Sequence, residues 1–365
     1  IGERWCGMRS FDYRWLEDCL WDGEVVSLIS QIHEYKGRQD LFVSQRPSSV
    51  ARLMDIAKVQ SVESSNRIEG IVTTKARIRS LVANKTMPRN RDEEEIMGYR
   101  DVLNTVHENY EYIDLTRHIV LQLHRDLYAY SHKGIGGQFK NVQNSIIERL
   151  ADGSELERFR PLAPYETPAA IDDICYSINA VLQDKSVDPL LVIPVFIHDF
   201  LCIHPFNDGN GRMSRLLTTL LLYQNGYMIG KFISLEQKIE RTKDSYYAAL
   251  AQSGAGWHTG DEDVVPFVKY ILRVILAAYR DFESRIALLN TSLSAKDRIK
   301  IIISATIGKI TKSGILEKQP DIAVSTVEKA LKELVEEGFI ERHGVGRSTF
   351  YVKVSQKISF HAKYI

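Results

Sequence analysis

Cysteine is scarce and scattered: Cys6, Cys19, Cys175 and Cys202 are the four in 365 residues, with no C-x-x-C pair. That spacing excludes a small disulfide-stapled scaffold and a thiolate zinc ribbon, and it favours reduced thiols in a cytoplasm. Net charge is lacking as well. The 47 Lys and Arg balance 47 Asp and Glu, so no bulk field draws the chain to nucleic acid or an anionic membrane. No apolar run approaches the length of a membrane span, and the residues after Ile1 lack the layout of a signal peptide. Tryptophan is rare, yet Trp5, Trp15 and Trp21 cluster with Phe11 and Tyr13 before residue 45, which reads as a packed N-terminal subdomain. What remains is an ordinary globular composition with length for two or three domains.

The chemistry-bearing residues concentrate between Cys202 and Leu222. Val195, Phe196, Phe200 and Ile203 recur at helical spacing over 194–203, and a Leu-rich run without Gly or Pro predicts a second helix over 212–223. The turn Asp208-Gly209-Asn210-Gly211 between them can take positive φ at two glycines and turn its N–H groups inward. Such a turn at a helix N-terminus is an anion site. Arg212 and Arg215 share a face of that helix, and two guanidiniums over a nest of amides suit a polyphosphate. Asp208 is placed to hold Mg²⁺ beside those phosphates. His204 is the group able to take a proton near neutral pH. Each feature alone is commonplace, but together they imply attack of an external nucleophile on a bound nucleotide. Zinc is disfavoured, since no thiolate or second ordered histidine accompanies His204 at ligand spacing. Cys202 reads as a buried residue rather than a nucleophile.

His204-Pro205-Phe206-Asn207-Asp208-Gly209-Asn210-Gly211-Arg212-Met213-Ser214-Arg215 resembles, without departure, the Fic (Fido) family signature H-P-F-x-[D/E]-G-N-G-R-x-x-R. The resemblance implies a protein adenylyltransferase that moves AMP from ATP to a Tyr, Thr or Ser hydroxyl of a target protein, itself included. It implies His204 as general base and Asp208 as Mg²⁺ ligand. Gly209, Asn210, Gly211, Arg212 and Arg215 would bind the nucleotide phosphates, and Phe206 would anchor the core. A kinase-like branch has Lys for the last Gly and lacks the final Arg; Gly211 and Arg215 are intact here, which favours AMP transfer.

Further segments take meaning beside that signature. Val50, Leu53, Ile56 and Ala57 form a helical stripe that runs on to Gly70, with Ser48 or Ser49 as its cap. Ser65-x-x-x-Glu69-Gly70 within it is similar to the family's inhibitory motif [S/T]-x-x-x-E-[G/N], which implies a Glu69–Arg215 salt bridge that denies the γ-phosphate its counter-charge. Three glycines then precede a β-prone run over 133–147. At this place the family has a flap hairpin that docks the target by strand pairing, here Gly137, Gln138, Phe139, Lys140, Asn141 and Val142. A helix over 235–250 carries Tyr246 and Tyr247, and the resemblance points to Tyr246 in the nucleotide-base pocket. A long apolar helix over 264–289 closes the bundle.

The last seventy or so residues read separately, as helices over 293–307, 312–318 and 325–337 followed by a hairpin. The third helix opens on a capping box, Ser325 to Glu328. This pattern resembles a winged helix-turn-helix. Lys329 and Lys332 face Glu328, Glu333, Glu336 and Glu337 on that helix. DNA therefore ranks as a partner behind protein docking or a homodimer contact, although the wing's Arg342, His343 and Arg347 are basic.

The expected fold is mainly α: a Fic-type helical bundle with a small β-hairpin flap, plus a C-terminal winged helix-turn-helix domain. Its expected parts are 1–92 (with an inhibitory helix at about 48–70), 93–290 as catalytic core and 291–365 as winged helix. The expected activity is AMP transfer from Mg-ATP, inhibited by Glu69. The alternatives are a DNA-binding regulator with a nucleotide-sensing Fic domain, and an enzyme that removes AMP with Glu69 positioning water.

Overall fold

Sparse proline and helical apolar spacing give a mainly helical chain. The structure, a computed structural model, describes residues 11–45, 47–149, 155–289, 294–306, 308–319 and 322–354. A 3-10 turn (Tyr13–Asp18) leads into α1 (Gly23–Gln45) and α2 (Pro47–Ile68). α3 (Lys75–Val82), α4 (Arg91–Asn109) and α5 (Arg117–Leu127) follow. Thr74, Asn90 and Thr116 start these three, each accepting from the backbone N–H three residues on. β1 (Ile146–Arg149) and β2 (Glu155–Phe159) pair antiparallel, with Ile147 opposite Glu157. Then come α6 (Thr167–Asp184), α7 (Pro189–Ile203), α8 (Asn210–Gln224), α9 (Leu235–Arg241), α10 (Lys243–Gly254) and α11 (Val265–Leu289).

α7 forms the axis of the bundle. Its residues from Leu190 to Ile203 are buried, as an all-round apolar helix requires. α8 lies against it, buried from Arg212 to Tyr223, while α1 runs along α11 and α2 packs on α4 and α9. Buried Asp199 of α7 accepts from Trp257 Nε1 at 2.6 Å and from Tyr13 Oη at 3.0 Å, which fastens the N-terminal turn to the core. One apolar cluster therefore extends from Phe11 to Ile286. A second, from Ile299 to Ile340, belongs to α12 (Ala295–Ala305), β3 (Lys309–Ile310), α13 (Lys312–Lys318), α14 (Val324–Glu336), β4 (Ile340–His343) and β5 (Phe350–Lys353). The three strands pair antiparallel in the order β3-β5-β4. Among the described residues no helix is long and apolar enough to cross a membrane.

Several expectations change. The residues before 45 share the main core rather than forming their own; Trp15 is exposed, and Trp5 lies outside the described residues. α2 begins at Pro47, so Ser48 and Ser49 lie inside it rather than at its cap. Residues 137–142 are not strand. The hairpin forms later, at 146–149 and 155–159, beyond the glycines. The helix expected over 235–250 is broken at Thr242, whose hydroxyl donates back to the Lys238 carbonyl at 2.9 Å. The capping box is absent, because α14 begins at Val324 with Ala323 as its N-cap.

Candidate active site

α7 stops because His204 turns left-handed at φ 51°, while its N–H still bonds the Phe200 carbonyl at 3.0 Å. α8 starts from Gly209 at φ 88°, where a Cβ would stand 3.1 Å from the Tyr128 ring. The turn thus uses positive φ at Gly209, while Gly211 is helical. Between the two helices the loop folds on its own amide: Asn210 Oδ1 accepts from the Phe206 N–H at 2.9 Å, and Asn210 Nδ2 donates to the Phe206 carbonyl at 2.8 Å.

Protein donors take up the carbonyls of this stretch. Lys140 Nζ donates to Ile203 O at 2.8 Å and the Lys140 N–H to Pro205 O at 2.8 Å. Asn144 Nδ2 adds a bond to Phe206 O at 3.2 Å. His124 Nε2 donates to Asp208 O at 3.0 Å, while its Nδ1 accepts from the Gly137 N–H at 3.1 Å. Those two partners fix the His124 tautomer, and its ring stacks on Phe206 with centroids 3.6 Å apart. The first turn of α8 has no side-chain cap, so its N–H groups are available to an anion.

His204 Nδ1 lies 3.3 Å from the Leu201 carbonyl, which can only accept, so the proton sits on Nδ1 and Nε2 keeps its lone pair. Burial pushes this imidazole down to about 4, with Lys140 pulling the same way and Glu69 and Asp208 opposing. It is neutral at pH 7 and able to take a proton. Burial raises the Asp208 carboxyl, but Lys133 at 2.7 Å and Arg212 more than offset it, and the group stays below its ordinary value.

Arg212 is sunk beneath the loop. Its Nη2 donates to Tyr128 Oη at 2.8 Å, and its Nη1 lies 2.8 Å from Glu95 Oε2 without hydrogen-bond alignment; its Nε has no hydrogen-bond partner among the described residues. Glu95, itself buried, also holds Lys133 at 3.0 Å and Arg91 at 3.0 Å. Lys133 so bridges Glu95 and Asp208.

Arg215 faces α2. Its Nε donates to Ser65 Oγ at 2.8 Å, and its Nη2 donates to Ser65 O at 2.9 Å and Glu69 Oε1 at 2.8 Å. Glu69 lies over the first turn of α8, where a Cβ on Gly211 would come within 2.3 Å of its Oε1. The smallness of Gly211 therefore admits the carboxylate. Gly70 ends α2 at φ 79°. Lys243 Nζ donates to the Ile68 carbonyl at 2.8 Å, and Ser61 and Tyr99 both donate to buried Glu236, at 2.6 and 3.0 Å.

The structure thus gathers His204, Asp208, Gly209, Asn210, Gly211, Arg212, Arg215, Ser65 and Glu69 around one turn. Tyr246 is buried among Tyr247, Phe267 and Tyr270 rather than lining an open face, while Tyr247 reaches the surface. Of the residues expected to dock a target, Lys140 is buried against the loop, Asn141 bonds Asn207 at 3.2 Å, and Val142 is exposed. Sequence reasoning missed Glu95, His124, Tyr128 and Lys133, and assigned Lys140 to target docking rather than to the loop. The one usable signal was His124 among the apolar stripe of α5, beside Val120, Leu123 and Leu127.

An uncapped helix N-terminus, a neutral buried imidazole and two arginines define a helical anion-binding, proton-accepting site. Residues 114–222 match the model of the Fic/DOC family, so the chain contains a Fic/DOC domain. The chain is 26% identical over 327 residues to "Protein adenylyltransferase Fic" of Drosophila melanogaster, a match covering 85% of this chain and 58% of that protein. It is 24% identical over 236 residues to the protein of that name in Nematostella vectensis, covering 61% of this chain and 48% of that protein. The chain thus spans about half the length of the curated relatives it matches. Among solved structures, a Fic family protein from Desulfovibrio desulfuricans G20 superposes with TM-score 0.61 at 20% identity, covering 93% of this chain and 98% of that one.

Proposed function

We propose that this protein transfers AMP from ATP to a hydroxyl of a target protein, and that Glu69 holds it inactive. The observation that carries this reading is the Glu69 carboxylate on Arg215 and over the uncapped first turn of α8, where an anion belongs. A phosphate of ATP and Glu69 compete for the same counter-charge. With Glu69 withdrawn, Arg215 takes the γ-phosphate, and the amides of Gly209, Asn210 and Gly211 receive the inner phosphates, with the Arg212 guanidinium beneath them as counter-charge. A Tyr, Thr or Ser hydroxyl gives its proton to His204 Nε2, its oxygen bonds the α-phosphorus, and the bond to the β-phosphate bridge breaks. AMP stays on the target and pyrophosphate leaves. The protein supplies position and fixed counter-charge.

Mg²⁺ fits the donor set. Asp208 is half-exposed and held as an anion beside the uncapped first turn of α8. That is the pattern of an ion bound by one carboxylate and substrate phosphates. When bound it would neutralise phosphate charge; Lys133 meanwhile keeps Asp208 in place.

The C-terminal helices and sheet are read as a winged-helix module that docks protein, a second copy of this chain included. Lys312 pairs with Glu328, and Lys296 with Glu333 and Glu337, so α14 offers a nucleic acid little uncompensated charge. The free Cys19, Cys175 and Cys202 fit a cytoplasmic setting.

The test is Glu69→Gly with labelled ATP. It should acquire an AMP adduct, and adding His204→Ala should abolish it. A Glu69→Gly protein as inert as its parent would end the reading.

A further inference from the structure

Lys140 is an unusual lysine. It is 3% exposed, yet no carboxylate lies within salt-bridge reach among the described residues. Burying an ammonium without an acid is costly unless other acceptors replace water. Its acceptors are Ile203 O at 2.8 Å and Asn144 Oδ1 at 3.3 Å. The first is a terminal carbonyl of α7, where the negative end of the helix dipole welcomes a cation. Desolvation still draws the ammonium down to about 8, with the Glu166 charge resisting.

The geometry is more telling than the burial. The side chain of Lys140 holds the carbonyl before His204, and its backbone N–H holds the Pro205 carbonyl just after it. One residue therefore holds the peptide plane that enters His204 and the Pro205–Phe206 plane one residue beyond it, bracketing a base that sits in left-handed backbone, a conformation needing outside support. The chain then continues directly into Asn141, which reaches Asn207, and Asn144, which reaches Phe206. Nothing else among the described contacts spans His204 in this way.

We propose that Lys140 is a positioning residue for His204, tying the segment that enters the hairpin to the placement of the base. This rests on the reading of His204 as base. The charged groups facing His204 are Lys140, Glu69 and Asp208. In a chain carrying Glu69→Gly, removing the first leaves Asp208 as the facing charge, and the imidazole should then hold its proton to higher pH.

The test uses the full chain carrying Glu69→Gly, with Lys140→Met and Lys140→Arg added in turn. Lys140→Met should lower kcat for AMP transfer on the order of ten- to a hundredfold while ATP affinity holds. The imidazole titration of His204, followed by NMR, should move up, and the acid limb of the rate profile should follow it. Lys140→Arg should recover most of both. If Lys140→Met does not fold, Lys140→Gln, which keeps a donor but no charge, carries the same two readings. An unchanged kcat with an unmoved His204 titration overturns the proposal. A rate loss matched by an equal loss of ATP binding also overturns it, since that marks general collapse of the loop. An inactive Glu69→Gly parent would refute the AMP-transfer reading alone, because the His204 titration would still report on Lys140.

Discussion

Two clamps grip the signature loop from opposite sides, and they are built differently. On one side α4 and α5 supply Glu95, His124 and Tyr128, all buried; the Glu95 side chain is 2% exposed. On the other side α2 supplies Ser65 and Glu69, and the Glu69 side chain is 31% exposed. The first clamp holds Arg212 on a carboxylate in a dry place, one that also reaches Lys133 and the exposed Arg91, so breaking it strands charge. The second ends at a helix terminus within reach of water, so its carboxylate can be rehydrated when it lets go. The comparison teaches that one side is scaffold and the other is a latch, although both are Arg–Glu pairs on one helix, three residues apart.

The largest effect should come from the scaffold. Glu95→Ala leaves buried Arg212 with only the half-exposed Asp208 carboxylate, 3.7 Å away, and denaturant unfolding should show a loss of about 3–5 kcal/mol. A loss no greater than that of Glu69→Gly would erase the distinction between the clamps. Glu69→Gly itself should cost less than Glu95→Ala, since buried Arg215 keeps both bonds to Ser65 and the Glu69 side chain is already partly exposed. Its effect should appear instead as AMP transfer, which His204→Ala lowers by about 10²–10⁴. Ser65→Ala comes next. It removes one of the three bonds on Arg215, worth about 1 kcal/mol, and should give a partial rise in transfer, below that of Glu69→Gly.

The smallest effect concerns pH. His204 is held down to about 4 by burial, so it is a free base throughout the neutral range. Its power to take a proton is present above that value and lost as pH falls through it. The rate of the Glu69→Gly protein, read from kcat, should therefore show no acid limb near the ordinary histidine value. A limb near 6.5 would place His204 in water rather than in the site.

The latch was legible in the sequence and the scaffold was not, for a physical reason. His204 to Arg215 is contiguous, and Ser65 and Glu69 sit one helical turn apart, so local spacing carries their geometry. Glu95 comes at the end of an acidic run, Glu93-Glu94-Glu95, that suits a helix N-terminus on its own. Its partner Arg212 is more than a hundred residues away, and no local pattern announces such a pair. Lys140 acts partly through its backbone N–H, which sequence cannot express. The hairpin was misplaced because Gly136 and Gly137 serve close packing against α5 rather than a strand turn: a Cβ on Gly136 would meet Arg125 backbone at 3.2 Å. Winding at Thr242 was hidden because nothing in 235–250 is a helix breaker; the break rests on tertiary contact, with the Thr242 hydroxyl 2.8 Å from Tyr270 Oη.

The most direct measurement is the binding of ATP to the parent chain and to Glu69→Gly, titrated side by side. If a carboxylate of the protein occupies the place of a phosphate, the variant binds distinctly tighter and gains the mass of AMP on incubation. Equal affinities, with no adduct on either chain, would mean that Glu69 guards nothing.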